Sequence, residues 1–174
     1  MNHDQIVKEA SQLLREAYRK LAASYSLHEK PHLTLNAPKN LKEMTTAYHQ
    51  ANSGNGHYPI LSSHLDCFLG KAANVDFRFI HDMMHIELQV DVDYAGEMIV
   101  HAVLWSRLAC YADSYEVADM IRKIYVLDTY GQTVYYNQHD KFVANQIEFV
   151  SSRLGYNMST IARIAAGGWW FVPA

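Results

Sequence analysis

Two cysteines, Cys67 and Cys110, are all the chain carries, too few for a disulfide framework. No signal-peptide pattern opens the sequence, so both are expected as reduced, buried thiols in a cytoplasm. A formal net charge of −3 leaves no basic surface of the kind phosphate backbones require, and direct nucleic-acid binding is not expected. Long apolar runs are missing too. The longest, residues 98–112, is broken by His101, Ser106 and Arg107, which excludes a bilayer span and a membrane partner. Strand-like alternation is scarce, and no internal repeat, low-complexity tract or domain linker stands out. The chain has no glycine loop to cradle phosphate, and no serine or cysteine in the setting of a nucleophile.

What the chain does have is apolar periodicity and histidine. Hydrophobic residues make up 49% of 174 positions, enough for one domain with a proper core. The expectation is an all-α, compact single-domain helical bundle with a polar His/carboxylate layer in its core. Residues 1–70 form a helical and loop region, 71–155 carry the motifs, and 156–174 are an aromatic tail. Ten histidines hint at metal or proton chemistry.

The centre of the pattern is the stretch 77–101, FRFIHDMMHIELQVDVDYAGEMIVH. It predicts helices over 76–88 and 94–112 joined by a short acidic turn. Phe77, Ile80, Met84 and Leu88 recur at three- and four-residue steps on the first helix, and His81 and His85 fall on the same face. On the second, Glu97 and His101 begin a line that Leu104 and Leu108 continue. Each helix therefore turns a polar pair toward the side that should be buried. Burying a carboxylate among imidazoles costs several kcal/mol unless something compensates.

Elsewhere the periodicity predicts a helix over 4–24 with a solvated charged face, a loop over 27–39, and a shorter helix over 40–51. Residues 52–59 (NSGNGHYP) are turn chemistry, and 52–58 is a candidate lid over the site. Another helical piece is expected over 60–70. Ser114 is the expected N-cap of a helix reaching about residue 137, on which Val117, Ile121 and Ile124 lead to Asp128, Gln132 and Tyr135. A helix over 140–154 repeats the interruption, with Gln146 flanked by Phe142, Phe149 and Val150. A last short helix over 157–166 precedes Gly167-Gly168-Trp169-Trp170-Phe171.

Four helices thus carry polar residues on their inward sides, and such faces meet inside a bundle. The candidate metal ligands are His81, His85, Glu97, His101 and Asp128, a set of imidazoles and carboxylates that suits zinc, manganese or iron. Asp82, Glu97 and Gln132 are the candidate catalytic groups. The four-residue step from His81 to His85 is the ligand spacing of helical zinc sites. It is not a metalloprotease signature, because Asp82 follows the first histidine where a glutamate base would stand. Asp82 could be a ligand, a partner behind His81, or half of a surface pair with Arg78. Without a metal, the same residues would make a hydrogen-bonded network that specifies packing.

The order Phe77-Arg78-x-x-His81-Asp82-x-x-His85, Gly96-Glu97, Gly131-Gln132 and Phe142-x-x-x-Gln146 resembles a group of helical domains encoded by bacteriophages and conjugative plasmids. Some of these are embedded in large polyvalent mobile-element proteins. The resemblance covers about residues 76–149. Met84 stands where many members carry glycine, and Asp128 near where many carry glutamate. No agreed activity attaches to the group, so the resemblance implies a setting, the host cytoplasm, and not a mechanism.

The expectation is therefore a protein with a buried divalent-metal site and, if it is an enzyme, a metal-assisted hydrolase of a nucleotide or another phosphoester, with an unidentified small-molecule substrate. Asp82 or Glu97 would relay protons. Two alternatives stay open. In a histidine-aspartate-type phosphohydrolase, His57 or His64 would join His81, Asp82 and Asp128 as ligands. In a host-takeover or anti-defence protein, Trp169, Trp170 and Phe171 would anchor a host protein or a second copy of the chain.

Overall fold

The computed structural model describes residues 1–25, 27, 31–157 and 160. Its elements are α1 (His3–Ser24), β1 (His32–Thr34), α2 (Leu41–Asn52), β2 (Pro59–Leu61), α3 (Lys71–Leu88) and α4 (Tyr94–Leu108). They continue with a 3₁₀ turn (Ala109–Tyr111), α5 (Tyr115–Tyr125), a π-helical turn (Val126–Tyr130), α6 (Gly131–His139) and α7 (Gln146–Arg153). The fold is all-α, with a two-stranded parallel pairing of β1 and β2 in which Leu33 faces Ile60.

Helix α3 is the hub. Helices α1, α2 and α4 and strand β2 all pack on it. Its buried residues include Phe79, Ile80, Met83, Met84 and His85, so it is covered on more than one side. Burying each large apolar side chain is worth about 1.5–3 kcal/mol, and this helix contributes several. Phe79 and Met83 lie off the expected stripe because Tyr25 and Tyr58 close over that flank, each with its ring edge toward Phe79. Helix α1 seats Val7, Ala10, Leu14, Ala17 and Tyr18 in the core and packs against α3 and α5.

The helix starts follow capping chemistry. Asn2, Asn40, Ser114 and Asn145 each accept a backbone N–H from the residue three positions on. Asn145 therefore starts α7 at Gln146, and residues 140–145 are a connection where the periodicity predicts helix. Residues 60–70 are also not helical. Pro59–Leu61 pairs with β1, and the chain after it is clamped by α3. Arg78 donates through Nη1 to the carbonyls of Leu61 (2.7 Å) and Ser63 (2.9 Å) and through Nη2 to that of His64 (2.7 Å). Arg78 is thus a loop clamp, and no surface pair with Asp82 forms. Cys67 is buried as expected, but Cys110 is exposed, because the 3₁₀ turn breaks the register of α4.

The helix after Ser114 runs on to His139, but through a π turn. Gly131 permits it, since a Cβ there would press on the Val126 carbonyl oxygen at 2.9 Å. A π turn adds a residue to one turn of the spiral and rotates the helix beyond it. Residues 157–166 and the cluster Trp169, Trp170 and Phe171 lie outside the described residues, apart from Asn157 and Thr160. Among the described residues, no helix is long and apolar enough to cross a membrane.

Candidate metal site

Helices α3 and α4 are joined by five residues, and the turn between them aims the histidines. Gln89 takes the left-handed conformation (φ 54°) that ends α3. The reversal lets the Val90 N–H return to the His85 carbonyl (3.2 Å) and turns the Val90 carbonyl onto His85 Nδ1 (3.1 Å). Helix α4 then starts tight against this turn. A Cβ on Gly96 would overlap the Asp91 carbonyl oxygen, so only glycine lets the acidic turn lie across the start of the helix. The next residue is Glu97.

Glu97 stands at the middle of three imidazoles. Its Oε2 lies 3.1 Å from His81 Nε2 and 3.8 Å from His101 Nε2, and its Oε1 lies 3.4 Å from His85 Nε2. One nitrogen from His81, one from His85 and one Glu97 oxygen all fall within 4.8 Å of one another, the spread of a set that can hold one metal ion. The four residues expected to converge do so, with His101 beside this triad.

Hydrogen-bond logic fixes the tautomers. A carbonyl can only accept, so His85 Nδ1 carries the hydrogen that Val90 takes. In the neutral ring Nε2 is then a lone pair, fully buried and facing a carboxylate oxygen without a hydrogen-bond partner. That arrangement calls for a positive charge between them, a proton or a metal ion. The Tyr125 hydroxyl donates to the His101 carbonyl (3.2 Å), so it accepts from His101 Nδ1 (3.0 Å). His101 Nε2 is therefore also a lone pair, 3.4 Å from the Thr133 hydroxyl. His101, and His85 in its neutral form, thus turn lone pairs toward Glu97. Each has its other nitrogen tied to a protein oxygen, as metal-ligating histidines do.

The charges agree. Burial works against a proton on His81, but its carboxylate neighbours Asp82 and Glu97 outweigh burial and raise the imidazole to about 9. Burial likewise opposes the charge on Glu97, yet His81 and His85 hold its carboxyl well below the usual range. Burial, and then the nearby His81 charge, push His101 down to about 3, so it is a neutral imidazole. Without a metal the centre is a His81–Glu97 ion pair (3.1 Å) flanked by two rings.

Asp82 stands behind the site. Its Oδ1 is 3.8 Å from His81 Nδ1, and its Oδ2 accepts from the Tyr58 hydroxyl at 3.1 Å. It reaches His81 from behind and is not among the residues that line the cavity beside the site. His57 and His64 stand outside both cluster and cavity. The ligand set of a histidine-aspartate phosphohydrolase is not brought together among the described residues.

The cavity has a volume of about 430 Å³, and His81, Glu97 and His101 form one wall of it. Asp128, Gln132 and Gln146 line it as the four-helix pattern predicts. Asp128, however, is outside the three-residue ligand group. Its Oδ1 takes the Phe68 N–H at 3.2 Å, and burial, eased by the N–H groups of Phe68 and Leu69 and the Cys67 thiol, pushes its carboxyl up to about 6. Because of the π turn, Thr133, Tyr136 and Asn137 reach the cavity and Tyr135 does not. The glycine-rich turn at 52–57 does not line the cavity either. The exposed lining residues include Asp93, Tyr94, Tyr136 and Phe142, and the 52–58 turn expected as a lid does not border the cavity.

Several members of the site escape a reading of periodicity. Tyr125 and Thr133 hold His101, and Val90 holds His85. Tyr125 follows Ile121 by four residues and could have been found as a polar-tipped core aromatic. Val90 acts through its backbone and leaves no side-chain signal. No known protein family, curated protein or solved structure matches the chain.

Proposed function

We propose that the chain is a metal-dependent hydrolase in which His81, His85 and Glu97 hold one divalent ion. The observation that carries this reading is the buried, unpartnered Nε2 of His85 facing Glu97. The Val90 carbonyl takes the hydrogen on Nδ1, so only a second proton or an ion can join Nε2 to that carboxylate, and the ion is the reading proposed. The donor set of two imidazoles and a carboxylate suits zinc, iron or manganese. When bound, such an ion supplies a Lewis acid and a hydroxide source near neutral pH.

The remaining steps belong to the chain. His101 stays neutral and offers its Nε2 lone pair either as a fourth ligand or as a hydrogen-bond acceptor that orients the attacking water. Asp82, on the Nδ1 side of His81, would favour the hydrogen on that nitrogen and leave Nε2 free to ligate. Gln132 presents an amide to whatever occupies the cavity. Hydrolysis adds the water hydroxyl to the electrophilic atom and delivers the other proton to the leaving group. A phosphoester substrate would rely on the ion for its anion. Arg78, the one cationic side chain among the described cavity residues besides the histidines, is engaged by backbone carbonyls. The bacteriophage-like motif order sets this activity in a host cytoplasm, as part of the proposal.

The test is elemental analysis of protein purified without chelators, followed by a hydrolysis screen with the metal found. About one equivalent of zinc or manganese, lost in His81→Ala, supports the reading. Iron would redirect it to oxygen chemistry, which uses the same donor set. No metal, even after reconstitution, overturns it in favour of a packing network.

A further inference from the structure

On another wall of the cavity, a second group of buried polar atoms stands without partners. Tyr18 is 1% exposed and Gln132 5%, and both line the cavity. The Tyr18 hydroxyl and the Gln132 Oε1 have no hydrogen-bond partner. Gln132 donates its Nε2 hydrogen to the Leu127 carbonyl at 3.3 Å, which fixes the amide so that its oxygen is the atom left over. Asp128 lies one helical turn before Gln132. Its Oδ1 is occupied by Phe68, and it couples electrostatically to Tyr18.

Buried polar groups are nearly always satisfied, and each exception needs a reason. The two open atoms share a chemistry: the Gln132 oxygen can only accept, and the Tyr18 hydroxyl can accept as well. Asp128, already held by the Phe68 and Leu69 N–H groups and the Cys67 thiol, adds its charge beside them. Around them the cavity holds carboxylates and aromatic rings, while its cations are engaged, Arg78 by backbone carbonyls and His81 by Glu97. Asp93 and Glu97 line it along with Asp128, while Phe77, Tyr136 and Phe142 supply ring faces. A phosphate or carboxylate placed there would meet acceptors and negative charge. A flat cation bearing several N–H groups would satisfy the acceptors, balance Asp128 and lie against the rings.

The geometry points to a recognition subsite formed by Tyr18, Asp128 and Gln132 for a cationic, N–H-rich group of the guanidinium or amidinium class. It rests on the proposed hydrolase only in naming that enzyme's substrate class: a molecule presenting such a head to these three residues and its reacting bond toward Glu97 and His81.

The probe is benzamidinium, added to the full chain after chelator treatment, with binding read by ligand-observed NMR and calorimetry. Phenyl phosphate, benzoate and neutral benzamide serve as comparisons. Saturable binding of benzamidinium is expected, at least about tenfold tighter than any comparison. Asp128→Asn and Gln132→Met should each weaken it about tenfold or more, and Tyr18→Phe, which barely changes volume, several-fold. No saturable binding, or equal binding of benzamide, benzoate or phenyl phosphate, overturns the assignment. So does binding unchanged in Tyr18→Phe and Gln132→Met proteins that melt like the parent. Because the protein is metal-free here, the subsite can stand while the metal reading fails, and the converse also holds.

Discussion

The α3–α4 wall of the cavity and the wall made by α1 and the π turn both bury polar side chains, and they do so by opposite rules. On the first, nearly every polar atom is answered from within the chain. His81 meets Glu97, His101 is held by Tyr125 and Thr133, and His85 is held by Val90. The single orphan, His85 Nε2, faces a carboxylate at a distance a small ion would bridge. On the second wall, the Tyr18 hydroxyl and the Gln132 oxygen are left open toward a space of about 430 Å³. A pre-tied cluster with one bare lone pair beside a carboxylate is built for an ion; open acceptors around a larger space are built for a molecule that brings its own hydrogens. The comparison also separates stability from function. Cutting the first wall strands its members, whereas removing the open atoms of the second, the Tyr18 hydroxyl and the Gln132 oxygen, breaks no bond of the fold.

The largest expected effect comes from Glu97→Gln. It removes the negative charge that three imidazoles surround while keeping shape. Metal affinity should fall at least about 100-fold, more than changes to groups behind a site produce. The metal-free protein should lose about 3 kcal/mol, as buried pairs do when one partner goes. Isothermal titration and chemical denaturation read the two parts separately. An unchanged denaturation midpoint would mean the His81–Glu97 pair is not a buried element of the fold.

Next is Gly96→Ala. The added methyl meets the Asp91 carbonyl, so the acidic turn must shift. Overpacking of this kind costs about 1–3 kcal/mol, a fall in melting temperature of roughly 3–10 °C for a chain of this size. Metal affinity should drop with it, since Glu97 is the neighbour displaced. A variant that melts like the parent would show that the turn is not pinned to the helix.

Asp128→Asn acts in the other direction. Its carboxyl is raised to about 6 from an ordinary 3.8, chiefly by burial, so the folded state binds the proton more tightly than the unfolded chain. Stability from this group is present below about pH 4, is lost as pH rises toward 6, and stays lost above. The ionised group then costs up to about 3 kcal/mol at neutral pH. The amide keeps the Phe68 contact without the charge. Melts between pH 4 and 8 should show the variant more stable at pH 7 and its dependence between pH 4 and 6 flattened. A less stable variant at pH 7 would mean the charge has a buried partner in the fold.

Tyr18→Phe is the smallest. Removing a hydroxyl that bonds nothing should change stability by no more than about 0.5 kcal/mol, or raise it slightly. A loss of about 1.5 kcal/mol or more in differential scanning calorimetry would place that hydroxyl in the folding network and erase the contrast between the two walls.

Much of both walls can be read from the chain; what cannot is Tyr18 and the backbone geometry that aims the rest. Helical spacing alone puts His81, His85, Glu97 and His101 on inward faces, because burial on one side of a helix leaves a three-and-four-residue rhythm. The same rhythm places Asp128, Gln132 and Gln146 at the cavity. It fails wherever the backbone departs from an ideal spiral. The π turn carries no composition of its own, so periodicity expects Tyr135 where Tyr136 and Asn137 stand. The three-residue strands are too short to alternate, and they exist because Arg78 and the chain pairing hold them. The glycines at 54 and 56 speak for turn conformation and say nothing of location, which is why a surface turn reads as a lid in the sequence. Tyr18 is hidden in a helix whose other buried residues read as packing.

The claim at the centre is that His81, His85 and Glu97 hold one ion. Cobalt(II) titration of chelator-treated protein tests it most directly, because its visible spectrum reports ligand number and type. Saturation at about one equivalent is predicted, with a spectrum of a few nitrogen and oxygen ligands that Glu97→Gln and His85→Gln each abolish while Asp128→Asn leaves it intact. A titration that never saturates, or a spectrum untouched by Glu97→Gln, would contradict the account.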